Sequence, residues 1–140
     1  MVSLIIGMSW QTGQAQIIGD IRLSSVAVTL LPEFNHPCML VITEIELDQN
    51  TPIPSEVIIQ IPADARVIQV GNLEAEDRIF ALDFSTLQVG NWQDIRFTDN
   101  TPAIQIEYTD PNLVMQEEQR LFEFQWLSIY TVDSLTMQVR

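Results

Sequence analysis

The sequence predicts an all-β domain, an antiparallel β-sandwich of immunoglobulin-like or jelly-roll type with about eight or nine strands. Three observations predict it. Apolar and polar residues alternate in segment after segment, most clearly in Phe122-Glu123-Phe124-Gln125-Trp126. Successive side chains of a strand point to opposite faces, so this alternation suits a half-buried strand. Clusters of Pro, Gly, Asn and Asp separate the alternating segments at the spacing a sandwich needs. No stretch repeats its apolar residues with a helical period.

Each element follows from local chemistry. Ile21 to Leu31 is rich in β-branched residues and is closed by Pro32, which has no N–H for a ladder. Pro32 to Pro37 reads as a loop. Met39 to Asp48 is the next strand, with Met39, Val41, Thr43, Ile45 and Leu47 on one face and Glu44, Glu46 and Asp48 on the other, toward water. Gln49 to Pro54 is a turn cluster with two prolines, followed by a strand over Glu56 to Ile61. Pro62-Ala63-Asp64-Ala65 turns the chain into Arg66 to Val70. Gly71 to Asp77 is acidic and polar and reads as an exposed loop before a strand over Arg78 to Phe84. Gly90-Asn91 marks a turn into Trp92 to Thr98, and Asp99-Asn100-Thr101-Pro102 marks another. Ala103 to Tyr108 alternates, Thr109 to Asn112 turns, and Gln116 to Gln119 is polar. Phe122, Phe124, Trp126 and Tyr130 then share the inward face of one central strand, and Val132 to Val139 makes the last strand.

Composition narrows the function. At 140 residues, 46% hydrophobic and 18% charged, the chain supports one globular domain with a single core. It carries six Arg, no Lys and nineteen acidic residues, for a net charge of −13. Such a surface repels phosphate backbones and anionic lipids, which argues against nucleic-acid and membrane-surface partners. Without Lys there is neither a Schiff base nor a P-loop lysine.

The N-terminus reads as the later part of an export signal. Val2 to Trp10 is mostly apolar, and Gly13-Gln14-Ala15 places small residues at −3 and −1 of a cleavage site after Ala15. No Lys or Arg precedes the apolar run, so a basic leader segment is expected upstream, with residues 1–15 a truncated signal peptide and 16–140 one β-sandwich domain. The alternative for the same residues is an ordinary first strand. The apolar run is too short for a transmembrane helix of about 20 residues.

Candidate chemistry is sparse. Cys38 is alone, and its only nearby base is His36, two residues away across Pro37, so a small buried thiol is expected. Glu44, Glu46 and Asp48 on one strand face read as a solvated face that discourages edge association rather than a cation site. One His, no Gly-x-Ser-x-Gly and five scattered glycines support neither a triad nor a nucleotide loop. One His with one Cys does not make a zinc site. Loop carboxylates and amides at Asp94, Asp99, Asn100, Asp110 and Asn112 suit either turns or a cation held between loops, without EF-hand spacing. Trp92, beside the Gly-Asn turn, is the candidate exposed aromatic. The candidate ligand contacts are therefore Trp92, Asp99, Asn100 and Asp110, with no catalytic residue, cofactor or resident metal expected.

Leu31-Pro32-Glu33-Phe34 with Pro37, Met39-Leu40-Val41-Ile42, Pro54, and Ile61-Pro62 with Ala63 and Ala65 form the first part of a pattern. Ile104 to Tyr108 with Asp110-Pro111, Phe122 to Trp126, and Tyr130 to Thr136 complete it. Together these segments resemble an uncharacterised group of exported, often membrane-anchored β-sandwich ectodomains of environmental bacteria. The resemblance implies the fold, an extracellular or cell-envelope location and a membrane anchor outside this chain. It implies no active site. The expected function is a non-catalytic ectodomain with a binding or structural role toward an envelope protein or glycan. The alternative is a carbohydrate-binding module, with or without Ca²⁺.

Overall fold

A computed structural model describes residues 3–12, 21–33, 36–74 and 78–140. Within them the chain forms thirteen strands and no helix. They are β1 (Ser3–Thr12), β2 (Arg22–Pro32), β3 (Met39–Leu47), β4 (Ser55–Pro62), β5 (Arg66–Glu74), β6 (Arg78–Ala81) and β7 (Phe84–Val89). β8 (Trp92–Asp99), β9 (Ala103–Asp110), β10 (Val114–Gln116), β11 (Gln119–Ser128), β12 (Thr131–Val132) and β13 (Leu135–Val139) follow.

One layer is a sheet in the order β12-β2-β3-β9-β5-β6, with β13 also pairing β2. Two three-stranded sheets face it, β1-β11-β10 and β4-β8-β7, and they meet where β11 contacts β4. Between the layers lies one apolar cluster containing Val28, Val41 and Ile106 from the large sheet, and Ile59, Ile95 and Phe124 from the other two. The expected all-β sandwich is the observed fold. The strand count is higher because β1, β7 and β10 add to the expected strands and Asp133-Ser134 divides the last one into β12 and β13.

Alternation transfers directly where a strand is half buried. In β3 the buried positions are Met39, Val41, Thr43, Ile45 and Leu47, while Glu44 and Glu46 are exposed. In β11 Phe122, Phe124 and Trp126 are at most 4% exposed, and Glu123 and Gln125 face water. Tyr130 lies just beyond the strand in a bend, yet it too is buried.

Three expectations are corrected. The sheets are not wholly antiparallel, because β1 runs parallel to β11 and both β12 and β13 run parallel to β2. Side-chain alternation reports which face is buried and carries no strand direction. The acidic loop expected from Gly71 instead continues β5 to Glu74, with Asn72 buried. Gly71 makes this pairing possible: a Cβ there would stand 2.4 Å from Ile79 Cγ2 and 3.0 Å from the Phe80 carbonyl oxygen. Finally, Phe84 to Val89 is a strand that alternation did not reveal, since all six residues are exposed.

The N-terminal residues 3–12 pair with Gln119 to Ser128 along their whole length, and Leu4 and Ile6 pack against the core. The expected cleavage site at Gly13-Gln14-Ala15 lies outside the described residues.

Two tight hairpins need a left-handed backbone. Gly90 opens the β7–β8 turn at φ 62°, without strain for a residue lacking Cβ. Glu117 opens the β10–β11 turn at φ 54°, where a Cβ crowds the backbone. Glu117→Gly is expected to raise the unfolding free energy by about 0.5–1 kcal/mol. Urea titration of the two proteins checks this value.

Candidate functional site

Topology separates the residues that the sequence grouped. β8 runs from Trp92, opposite Pro62, to Asp99, opposite Ser55. Trp92 and Asp99 thus lie about 23 Å apart at the rise of an extended strand. Asp110 ends β9 beside the Pro62–Ala65 turn, where Asn112 Nδ2 reaches Asp64 Oδ2 at 3.3 Å. Trp92 and Asp110 therefore belong to one end of the sandwich, and Asp99 and Asn100 to the other. Among the described residues no group of three His, Cys, Asp or Glu side chains is placed to hold a metal ion.

Both buried aspartates shape turns. Asp99 Oδ1 accepts the Thr101 N–H at 3.0 Å. Asp110 Oδ1 accepts the Asn112 N–H at 2.9 Å and its Nδ2 at 2.8 Å. Asx turns of this kind explain why Asp was chosen at both places. Burial pushes both carboxyls above the ordinary carboxylate range. For Asp99 the Thr101 and Asn100 N–H groups pull the other way, and for Asp110 the two bonds from Asn112 do, while the charge of Asp64 adds to the rise. Asp99 Oδ2 has no hydrogen-bond partner among the described residues, consistent with a charge that is poorly compensated.

The end holding Asp110 is the better-built site. Gln93, buried on the inward face of β8, donates its amide to the carbonyls of Pro62, Ala63 and Ala65 at 3.1, 3.2 and 2.7 Å. Gln88 Nε2 adds a bond to the Ala63 carbonyl at 3.0 Å. One turn is thereby held by two side chains from neighbouring strands. Beside it opens a cavity of about 390 Å³, walled by Ile5, Val114 and Leu121 and edged by Asp110, Asn112 and Glu123. Gly7, opposite Glu123 in the β1–β11 ladder, also lines it. Its chemistry is that of acceptors and amides set against apolar walls, which fits a polar ligand carrying hydroxyl or ammonium donors. Trp92 is half-buried beside Pro62 and does not line the cavity.

The remaining candidates have structural roles. The Cys38 thiol donates to Glu33 Oε2 at 3.1 Å, and its backbone N–H, not its sulfur, meets His36. Burial, with the bond to Glu33 and its charge, pushes that thiol up to about 11, so it is protonated at neutral pH and is not a nucleophile there. Sequence reasoning missed Gln93. Its alternation with Trp92 and Asp94 places it on the inward face, but three carbonyls converging on one amide come only from the turn's position in space. No protein-family model matches the chain, and no curated protein matches it significantly.

The buried aspartates set a pH dependence. Raised folded values mean that the folded chain holds these protons more tightly than the unfolded chain does. Their contribution to stability is complete below the ordinary aspartate pKa and is lost as pH rises through the raised values. Unfolding free energy from these groups should therefore increase as pH is lowered from 7. Asp99→Asn keeps the acceptor for Thr101 and removes the charge, so its stability should vary less with pH over that window. Urea titrations at several pH values measure the two slopes.

Proposed function

We propose that this chain is a non-catalytic ectodomain that binds a ligand at the cell envelope, seated in the cavity beside Asp110. The observation that carries this reading is the pinned Pro62–Ala65 turn. Gln93 and Gln88 fix it to the sheet, and Asn112 ties Asp110 to Asp64. Polar groups held before a ligand arrives lose little entropy on binding. A rigid scaffold presenting a few convergent polar groups beside apolar walls is the usual architecture of a binding site.

The export reading draws on the apolar run from Val2 to Trp10 and on the resemblance to exported ectodomains. The same residues pair with β11, so processing after Ala15 would remove β1 from its sheet and Ile5 and Gly7 from the cavity wall. A carbohydrate-binding role would call for exposed rings on which a sugar can stack. Phe122, Phe124, Trp126 and Tyr130 are all buried, which leaves half-buried Trp92 as the sugar-stacking candidate at this end.

An NMR screen of the isotopically labelled full chain against envelope glycan fragments, small organic cations and Ca²⁺ tests the reading. A hit is expected to shift the amide signals of Ala63, Asp64 and Asp110 to Leu113. Asn112→Ala should weaken that hit about tenfold, because Asp110 and Asp64 lose the amide whose charge-assisted bonds hold them in place. Turnover of any glycan, or shifts confined to residues far from this end, would overturn the proposal.

A further inference from the structure

The edge of the sandwich at β7 plays no part in that reading. Phe84, Leu87 and Val89 are 39%, 60% and 53% exposed, and β7 ends its sheet with β8 as its sole paired strand among the described residues. An edge strand leaves a row of N–H and C=O groups unpaired, and sheets ordinarily guard it with charge, proline or a bulge. β7 reads Phe-Ser-Thr-Leu-Gln-Val and has no charge and no proline. Its register with β8 runs without a bulge from Phe84–Phe97 to Val89–Trp92. The strand is open and unguarded.

We infer that β7 receives an added strand from a protein partner, an extended segment of alternating apolar residues flanked by Lys or Arg. Main-chain groups of such a segment would complete the free edge. Leu87 and Val89 lie on the outer face with Ser85, so two successive outward side chains of the segment would each find an apolar neighbour.

Charge selects the flanks. The chain carries −13 and no Lys. Where β7 begins, a hollow of about 310 Å³ beside Phe84 is edged by Asp83, Glu56 and Arg96. Arg96 is already bridged to Glu56 at 3.0 Å, which leaves Asp83 to receive an incoming cation. Asp94 stands opposite Leu87 in the neighbouring strand and adds a second carboxylate near the edge. A cationic segment is drawn to this margin, whereas a second copy of the chain brings a further −13. A six-residue edge also covers far less than the roughly 800 Å² per partner that a stable dimer uses.

The test uses the full chain and two synthetic peptides sharing a Val-Thr-Val-Thr-Val core, one flanked by lysine pairs and one by glutamate pairs. Calorimetric titration should show the lysine peptide binding at least tenfold more tightly at low salt, with the difference shrinking as salt rises. Hydrogen exchange should slow at amides within Phe84 to Val89. Leu87→Lys, at an exposed position that leaves the fold intact, should reduce binding at least tenfold, and Asp83→Asn should reduce the salt dependence. Equal binding of the two peptides, or protection at another edge, would overturn the inference. So would protection of β7 that grows with protein concentration in the absence of peptide, which would assign the edge to a second copy.

Discussion

The hydroxyl of Tyr130 accepts a hydrogen bond from the Ile58 N–H at 2.9 Å, and this bond lies where two sheets meet without a shared ladder. The layer facing the large sheet is built from β1-β11-β10 and β4-β8-β7. β4 pairs with β8 on one side, and on the other it meets the end of β11 and the bend after it. From Val57 to Pro62 every residue of β4 is buried. A backbone N–H in that setting needs a partner, because leaving it unpaired costs about 1–3 kcal/mol. The phenol oxygen supplies the partner from a residue 72 positions away. Burial pushes the Tyr130 hydroxyl above its ordinary pKa, so it remains protonated across the physiological range.

The cavity beside Asp110 depends on the same seam. Its walls come from β1, β10 and β11 on one side of the junction, and Pro62 at the end of β4 comes from the other. A slip between the two sheets would move Pro62 and its pinned turn relative to Leu121 and Glu123. The core beneath resists that slip through Phe122, Phe124 and Trp126, which pack in one cluster with Val57, Ile59 and Ile61. The aromatic residues thus act through position: they hold two half-layers in register, and the polar groups at their margin inherit that rigidity.

How much of this was legible in the sequence depended on burial. Met39 to Leu47 and Phe122 to Trp126 declared themselves because one face is in the core and the other in water. Phe84 to Val89 did not, since a strand exposed on both faces has no alternation to read. Asn72 was misread as loop because it is polar, although the close approach at Gly71 draws it into the sheet. Asp99 and Asp110 were recognisable as turn residues, but only topology reveals that they lie at opposite ends. The parallel edges were hidden for a similar reason, because pairing direction depends on where the chain returns.

Native-state hydrogen exchange at the Ile58 amide in Tyr130→Phe tests the role of the seam most directly. The ring is retained and only the acceptor is lost, so the core remains filled. The Ile58 amide is expected to exchange roughly tenfold or more faster, with the domain destabilised by about 1–3 kcal/mol. Unchanged protection at Ile58 with unchanged stability would contradict the account, because it would mean that the two sheets hold together without this bond.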